Sequence, residues 1–344
     1  MSCRIISVHE PDHTDNLWKA HYDLMAELRL RDDSDLKFDT WEEFKSGMLS
    51  HHQHNPELDY ALILRDDQAV GWCQFFVRNP GTDAQLPLGP FELLPEQINA
   101  ELVRTLARWF LEHLEICDAE FLYNMLFVKE CADMVASWGG RQFSRGQHFV
   151  LHRKDIAQSL VDKWLKEIPA ANPELRLEFF DGVPEELLDE YGERLEEALR
   201  DMPEENDSGM PVRFDRESYI GQQKWRRENN RRDIVAFLFD RDNNLVADSD
   251  LVINLKQPKT VDQLMTMVSR DYRGRGLAKW LKAAMIRRLE EVAPRFEKIS
   301  TLMREVNEPI QHINEQLGFV LNRTAREFKL PRTALKDWLT THPD

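Results

Sequence analysis

Between Met267 and Lys282 the sequence reads MVSRDYRGRGLAKWLK, and these residue types suit the holding of a polyphosphate. Gly274 and Gly276 permit backbone conformations and a close approach that a side chain would block. The run that follows carries Leu277, Trp280, Leu281, Ala284 and Leu289 in helical spacing, while QLMTMV before it reads as a strand. The glycines therefore fall at a helix N-terminus, where the first N–H groups have no intrahelical partner and the helix dipole adds about half a positive charge. Such ends bind anions readily. From Arg270 to Arg288 there are seven basic residues and one acid, Asp271, and Arg273, Arg275, Lys279 and Lys282 are read as charge around the rim of the loop. A solvated basic turn has the same composition; the order strand, glycines, helix favours an anion site. Nothing here supplies the GxxxxGK[ST] phosphate loop, and the GxGxxG dinucleotide fingerprint fails because position 279 is Lys.

This basic stretch is a local exception. The chain has 344 residues and a formal charge of -16, so its surface as a whole repels polyanions, and nucleic acid and anionic membranes are not expected partners. The composition, 42% hydrophobic and 31% charged, is that of a globular protein. No uncharged apolar run approaches the ~20 residues of a membrane helix. Cys3, Cys73, Cys117 and Cys131 form no CxxC pair and MSCRIISVHE lacks an apolar signal core, which predicts a reducing, cytoplasmic location. His51, His52 and His54 lack flanking ligand spacing, so no metal is expected.

The elements around the loop recur. Strand-like Arg4–Val8, helical Thr14–Leu30, a hairpin of DYALILR and AVGWCQFFVR, a Pro- and Gly-rich loop from Asn79 to Pro90, a helix over Leu102–Ile116 and the strands EFLYNMLFV and QHFVLHR make one series. LRLEFF, helices over Pro184–Leu199 and Arg216–Glu228, a hairpin, QLMTMV, the helix from Leu277, KISTLM, a helix over Pro309–Leu317 and REFKL make a second. Each ends in a helix with a related segment, DKWL at Asp162 and KDWL at Lys336, which predicts an internal duplication. IPAANP, Ile168 to Pro173, is read as the joint, giving domains over 1–170 and 171–344.

On the residues Arg273, Gly274, Gly276 and Ala278, and on VNEPIQHINEQLGF further on, the second half resembles the GCN5-related N-acetyltransferase (GNAT) superfamily. Its pyrophosphate loop reads [QR]xxGx[GA], and its later segment ends in LGF. The resemblance covers Leu264 to Phe319 by motif and 174–332 by element order; the first half shares the order only, as in mycothiol-synthase-like tandem chains. It implies an α/β (α+β) fold of two tandem GNAT-like domains, each with a mixed, mostly antiparallel central sheet flanked by helices. It also implies acetyl-CoA as co-substrate, its diphosphate on the backbone of Arg273, Gly274, Arg275, Gly276, Leu277 and Ala278, its pantetheine on Met267 and Val268, and a contact from Asn307. In the first half, QLPLGPFELLPEQINAELV offers Gly89 but has Glu92, Glu96 and Glu101 where the loop should be. It reads as a degenerate copy without CoA.

The implied activity is N-acetylation of a small amine by direct transfer in the second domain of a monomer or homodimer. The alternative is a CoA-binding, structural or sensor module that has lost its chemistry. Transfer requires a base for the ammonium proton and commonly an acid for the leaving thiolate. Where many members carry a tyrosine for that acid this chain has Asn314, which can hydrogen-bond a thiolate but cannot protonate it. Asp262 resembles the position of the catalytic carboxylate, and an ordinary solvated strand-end aspartate would look the same. Asp248 and Asp250 rank below it, because alternation puts two aspartates on any outer polar face. The acidic run DMPEENDSG, Asp201 to Gly209, stands where acceptors enter this fold.

Overall fold

The computed structural model of the chain describes residues 3–8, 14–32, 40–54, 59–78, 86–201, 213–256, 258–304 and 307–343. In chain order its elements begin β1 (Cys3–Ser7), α1 (Asp15–Asp32), α2 (Trp41–His54), β2 (Asp59–Arg65), β3 (Gln68–Arg78), β4 (Leu86–Leu88), β5 (Phe91–Leu93), α3 (Ala100–Ile116), β6 (Phe121–Leu126), α4 (Lys129–Ser137) and β7 (Arg141–His152). They continue as α5 (Gln158–Ala171), β8 (Arg176–Phe180), α6 (Leu188–Arg200), α7 (Arg216–Glu228), β9 (Arg231–Phe239), β10 (Leu245–Asn254), β11 (Thr260–Val268), α8 (Leu277–Val292), β12 (Lys298–Arg304), α9 (Glu308–Leu317), β13 (Val320–Pro331) and α10 (Arg332–Thr341).

Two compact units result: one is Met1–Arg145 with Arg323–Asp344, the other Gly146–Asn322. This division differs from the contiguous 1–170 and 171–344 read from the sequence. Burial explains the difference. After β7, the side chains of Ile156, Val161 and Trp164 pack with Leu277, Trp280 and Leu281 of α8. Phe328, Leu330 and Leu335, at the end of the chain, pack with Leu106, Phe110 and Trp138. Apolar partners, and not proximity in sequence, decide where each terminal strand and helix belongs. The joint also shifts: α5 runs through Pro169 to Ala171, and Asn172 Nδ2 then donates to the Ile168 carbonyl at 2.8 Å.

In the first unit the strand order is β1-β2-β3-β4-β6-β13, with β5 on β3. Its pairs are antiparallel except β4 with β6, which meet in parallel at Leu88 and Tyr123. In the second unit the order is β7-β12-β11-β10-β9-β8, antiparallel except β11 with β12. Strand β9 is buried on both faces. Ile234, Ala236 and Leu238 join the core beneath α5 and α8, and Val235, Phe237 and Phe239 join Leu188 and Tyr191 of α6 on the other side. A period-two strand with no polar side is what a sheet covered on both faces requires.

Candidate cofactor site

The second unit's parallel pair comes apart. Strand β11 pairs with β12 only over Thr260–Gln263, whereas β12 continues with β7 as far as Arg304 opposite Gly146. The cause lies on the far side of β11, where the register with β10 moves between Ser249/Thr266 and Leu251/Gln263. Leu264 and Met265 thus stand together opposite Asp250, whose Oδ1 accepts the Met265 N–H at 2.6 Å. A bulge of this kind bends the strand away from its partner. From Leu264 to Val268 the edge on the β12 side has no strand partner; the Met265 N–H is held by Asp250 and the Val268 carbonyl by Arg273, and the open fork is a template for an extended amide chain.

The fork leads to the glycine loop. A short turn over Arg270–Tyr272 precedes Gly274 at φ +77° and Gly276 at φ +81°, the latter being the N-cap of α8. The first bond into the helix is from Trp280 N–H to the Gly276 carbonyl at 3.1 Å, so the N–H groups of Leu277, Ala278 and Lys279 have no intrahelical acceptor. A Cβ on Gly274 would meet nothing within 4 Å, and one on Gly276 would touch Ile168 at an ordinary 3.5 Å. The left-handed backbone, and not crowding, is what demands glycine here. The outer face of the loop is open to a ligand, so the residues fit the diphosphate expected of them.

The basic side chains are disposed differently from the sequence reading. Arg273 donates to Asp201 Oδ2 at 2.6 Å and to the Val268 carbonyl at 3.1 Å, and Arg270 also pairs with Asp201. Together the two guanidiniums hold the Asp201 carboxyl down at about 2. Arg275 donates to Asn172 Oδ1 at 2.9 Å and pairs with Glu174. Lys279 lies 5.4 Å from the centre of the Trp164 ring. Lys282 is no rim residue: it is buried under the sheet. Three and four residues on stand Met285 and Ile286, and seven on stands Leu289, which was the signal that it faces inward. The loop therefore offers anions its backbone first, with two arginines shared with a carboxylate. Asp201→Asn should tighten acetyl-CoA binding by about threefold to tenfold at low salt, an advantage that shrinks as salt is added; titrations at two ionic strengths check this. Beyond Asp201 the acidic run lies outside the described residues.

The other expected residues are spread along the fork, from its base at Asp262 to the strand ends at Met267, Val268 and Asn307. Met267 turns its side chain into the core with Val235 and Phe237, and its backbone pairs with Asp248 of β10, so the neighbouring Val268 is the residue whose backbone faces the fork. Asn307 is the N-cap of α9, the helix that follows β12 in the chain. Asp262 is half-buried at the base of the fork and accepts the Ser300 hydroxyl at 2.6 Å. Asn314 is 0% exposed, with Nδ2 donating to Met303 Sδ at 2.8 Å.

Asp248 and Asp250 are not on an outer polar face, contrary to the alternation reading. They are 0% and 5% exposed, on the side covered by α6 and α7. Burial pushes Asp250 up to about 6. It pushes Asp248 up as well, against the pull of Arg194, whose Nε donates to Asp248 Oδ1 at 3.2 Å. The remaining donors of Arg194 reach Ser269 Oγ at 2.6 Å and the Leu245 carbonyl at 2.9 Å. Arg194, absent from the sequence reading, thus fixes the residue that opens the glycine loop. Nothing local in α6 announces this; in the structure Arg194 is buried on the same helix as Leu188, Tyr191 and Gly192.

The corresponding region of the first unit is built otherwise. Asn99 caps α3 with its own side chain, which accepts the Leu102 N–H at 2.9 Å, and Glu101 accepts the Cys3 N–H at 3.1 Å. A Cβ on Gly89 would press on Phe110 at 2.7 Å and Leu122 at 2.8 Å, while the Gly89 N–H donates to the Tyr123 carbonyl at 2.9 Å. This glycine is a packing glycine. Gly89→Ala should cost about 1–3 kcal/mol of unfolding free energy by overpacking, measured by urea denaturation, with acetyl-CoA binding unchanged.

Among solved structures, a tandem GNAT protein from the clavulanic acid biosynthesis pathway, solved without acetyl-CoA, superimposes with a TM-score of 0.71 over 96% of this chain and 99% of its own, at 18% identity. The chain has the tandem GNAT fold. A GCN5-related N-acetyltransferase from Sphaerobacter thermophilus shares this GNAT fold at a TM-score of 0.64, 12% identity and 96% of each chain. So does a glucosamine N-acetyltransferase region of a fungal multi-domain β-N-acetylglucosaminidase, at 0.63 and 11%, covering 95% of this chain and 38% of that one. No protein-family model matches the sequence, and no curated protein matches it. Among the described residues no group of His, Cys, Asp and Glu could hold a metal ion, and no helix is long and apolar enough to cross a membrane. The side chains of His51, His52 and His54 lie outside the described residues. All four cysteines are free.

Proposed function

We propose that the chain is an acetyl-CoA-dependent N-acetyltransferase of a small amine, with its site in the second unit. One observation carries this reading: the open edge of β11 runs straight into a helix N-terminus entered through two left-handed glycines. That is a groove for an extended amide arm ending in a cradle for a diphosphate. The first unit, with its helix capped by Asn99 and its glycine packed on Phe110, is the copy without cofactor. The tandem GNAT fold supports the assignment.

Acetyl-CoA, when bound, supplies the acetyl thioester. The backbone of Gly274 to Ala278 would hold the diphosphate, the free edge of β11 would align the pantetheine, and Asn307 would close the far side. Asp262 is the assigned base. Half-buried and steadied by Ser300, it stands at the base of the fork, where it can accept a proton from an acceptor ammonium. Asp250 holds the bulge through Met265 and so sets the opening of the fork.

Incubating the protein with acetyl-CoA and a panel of small amines, and following free thiol, tests the activity; release that saturates with one class of amine is expected. Asp262→Asn should then lower turnover by about 10²–10⁴-fold without weakening acetyl-CoA binding. The second reading, a CoA-binding module without chemistry, is favoured by the burial of Asn314 against Met303. Saturable CoA binding with no thiol release on any amine would establish it.

A further inference from the structure

Lys282 is a basic residue in an apolar setting. It is 3% exposed, its Nζ donates to Gln263 Oε1 at 2.8 Å, and it lies 5.7 Å from the centre of the Phe319 ring. The side chains that face it are Leu251 of β10, Gln263 of β11, Ile299 of β12, Leu317 and Phe319 at and beyond the end of α9, and Met285 of its own helix. None of them carries a charge. Burial alone pushes the ammonium down to about 7, and the adjoining void of about 10 Å³ has room for one water at most. Holding a lysine here without a carboxylate works against stability, and packing alone would be served better by leucine or methionine.

Its place in the fold gives a charge there a use. Gln263, the side chain it grips, is the last residue of β11 to pair with β12. Lys282 therefore stands under the crotch of the fork, on the side of the sheet where α8 and α9 pack. Asn314 lies on that side too, its Oδ1 buried without a hydrogen-bond partner. From Val268 back to Leu264 the open edge spans five residues, four steps of ~3.3 Å or about 13 Å, close to the reach of a pantetheine arm. On the cofactor reading above, a diphosphate at Gly274–Ala278 thus brings the sulfur to the crotch.

We propose that Lys282 is the cation that stabilises the thiolate released at the crotch of the fork, the charge that Asn314 cannot supply. As the acceptor nitrogen bonds to the acetyl carbon, the C–S bond breaks and its electron pair passes to sulfur. The buried ammonium faces that new charge across a medium that screens it weakly. The thiolate takes its proton from solvent on release.

The test needs no acceptor. With the full chain saturated by CoA, the bound thiol is titrated through its ultraviolet thiolate absorbance, in the wild type and in Lys282→Met. The wild type should ionise the thiol at least about tenfold more readily than the variant, that is, about one pKa unit lower. In parallel, NMR titration of the Lys282 side-chain nitrogen in the wild type should show its pKa rise when CoA binds, a readout that survives even if the variant fails to fold. An ordinary thiol in the wild type, or a Lys282 titration that CoA leaves unmoved, would overturn the proposal while sparing the cofactor site. Absence of CoA binding would overturn both.

Discussion

Gly276→Val is expected to lower acetyl-CoA affinity by about a hundredfold or more while leaving the second unit folded. At φ +81° a β-branched residue is strained by at least about 1–2 kcal/mol. The space around the position is permissive, Ile168 being 3.5 Å from a built Cβ, so packing does not hold the loop in its present shape against that strain. Relaxation toward negative φ would turn the N–H groups of Leu277 and Ala278 away from one another's target, and about 2.7 kcal/mol of lost interaction corresponds to a hundredfold. Calorimetric titration with acetyl-CoA gives the affinity, and a urea melt gives the small stability loss that separates a damaged cradle from a damaged fold. Gly276→Ala should lie between the two.

Arg194→Leu is expected to cost about 3–5 kcal/mol of stability, because it removes one partner of a buried pair and leaves the other without compensation. Asp248 is 0% exposed, and its Oδ2 already has no hydrogen-bond partner; the Leu245 carbonyl and Ser269 Oγ would lose their donors as well. The pH dependence follows from the upward shift of Asp248. A carboxyl whose pKa is raised on folding keeps its proton in the native state at pH values where the unfolded chain has lost it. Stability in the variant should therefore fall as pH rises from the ordinary aspartate value through the folded one. Urea melts across that range check the sign. The double variant Arg194→Leu with Asp248→Leu should recover most of the loss, as replacement of a whole buried pair by apolar side chains commonly does.

The two predictions divide what was legible in the sequence from what was not. The glycine loop, its helix, and the elements before and after it were readable because each rests on local spacing: Gly274 and Gly276 between a period-two run and a period-three-to-four run. Met267, Val268 and Asn307 lie toward the ends of β11 and β12, and Asp262 lies at the base of the fork, since the two parallel strands start paired and then diverge. What escaped was everything set by contacts distant in sequence. The pairing of Arg194 with Asp248 joins residues of different elements, and Asp248 read alone looks like an outward-facing strand residue. The bulge opposite Asp250 leaves no mark in QLMTMV. Lys282 was misplaced because its charge outweighed its helical phase, although Met285, Ile286 and Leu289 share its face. The exchange of the terminal strand and helix between the halves was likewise invisible, because DKWL and KDWL are alike while the surfaces they cover are not.

The central claim is that one fork and one glycine cradle make a single acetyl-CoA site, in the second unit. Calorimetric titration of acetyl-CoA into the full chain and into Gly276→Val tests it most directly. The account predicts one site per chain in the wild type and its loss in the variant. Two sites per chain, no binding, or undiminished affinity in Gly276→Val would contradict it.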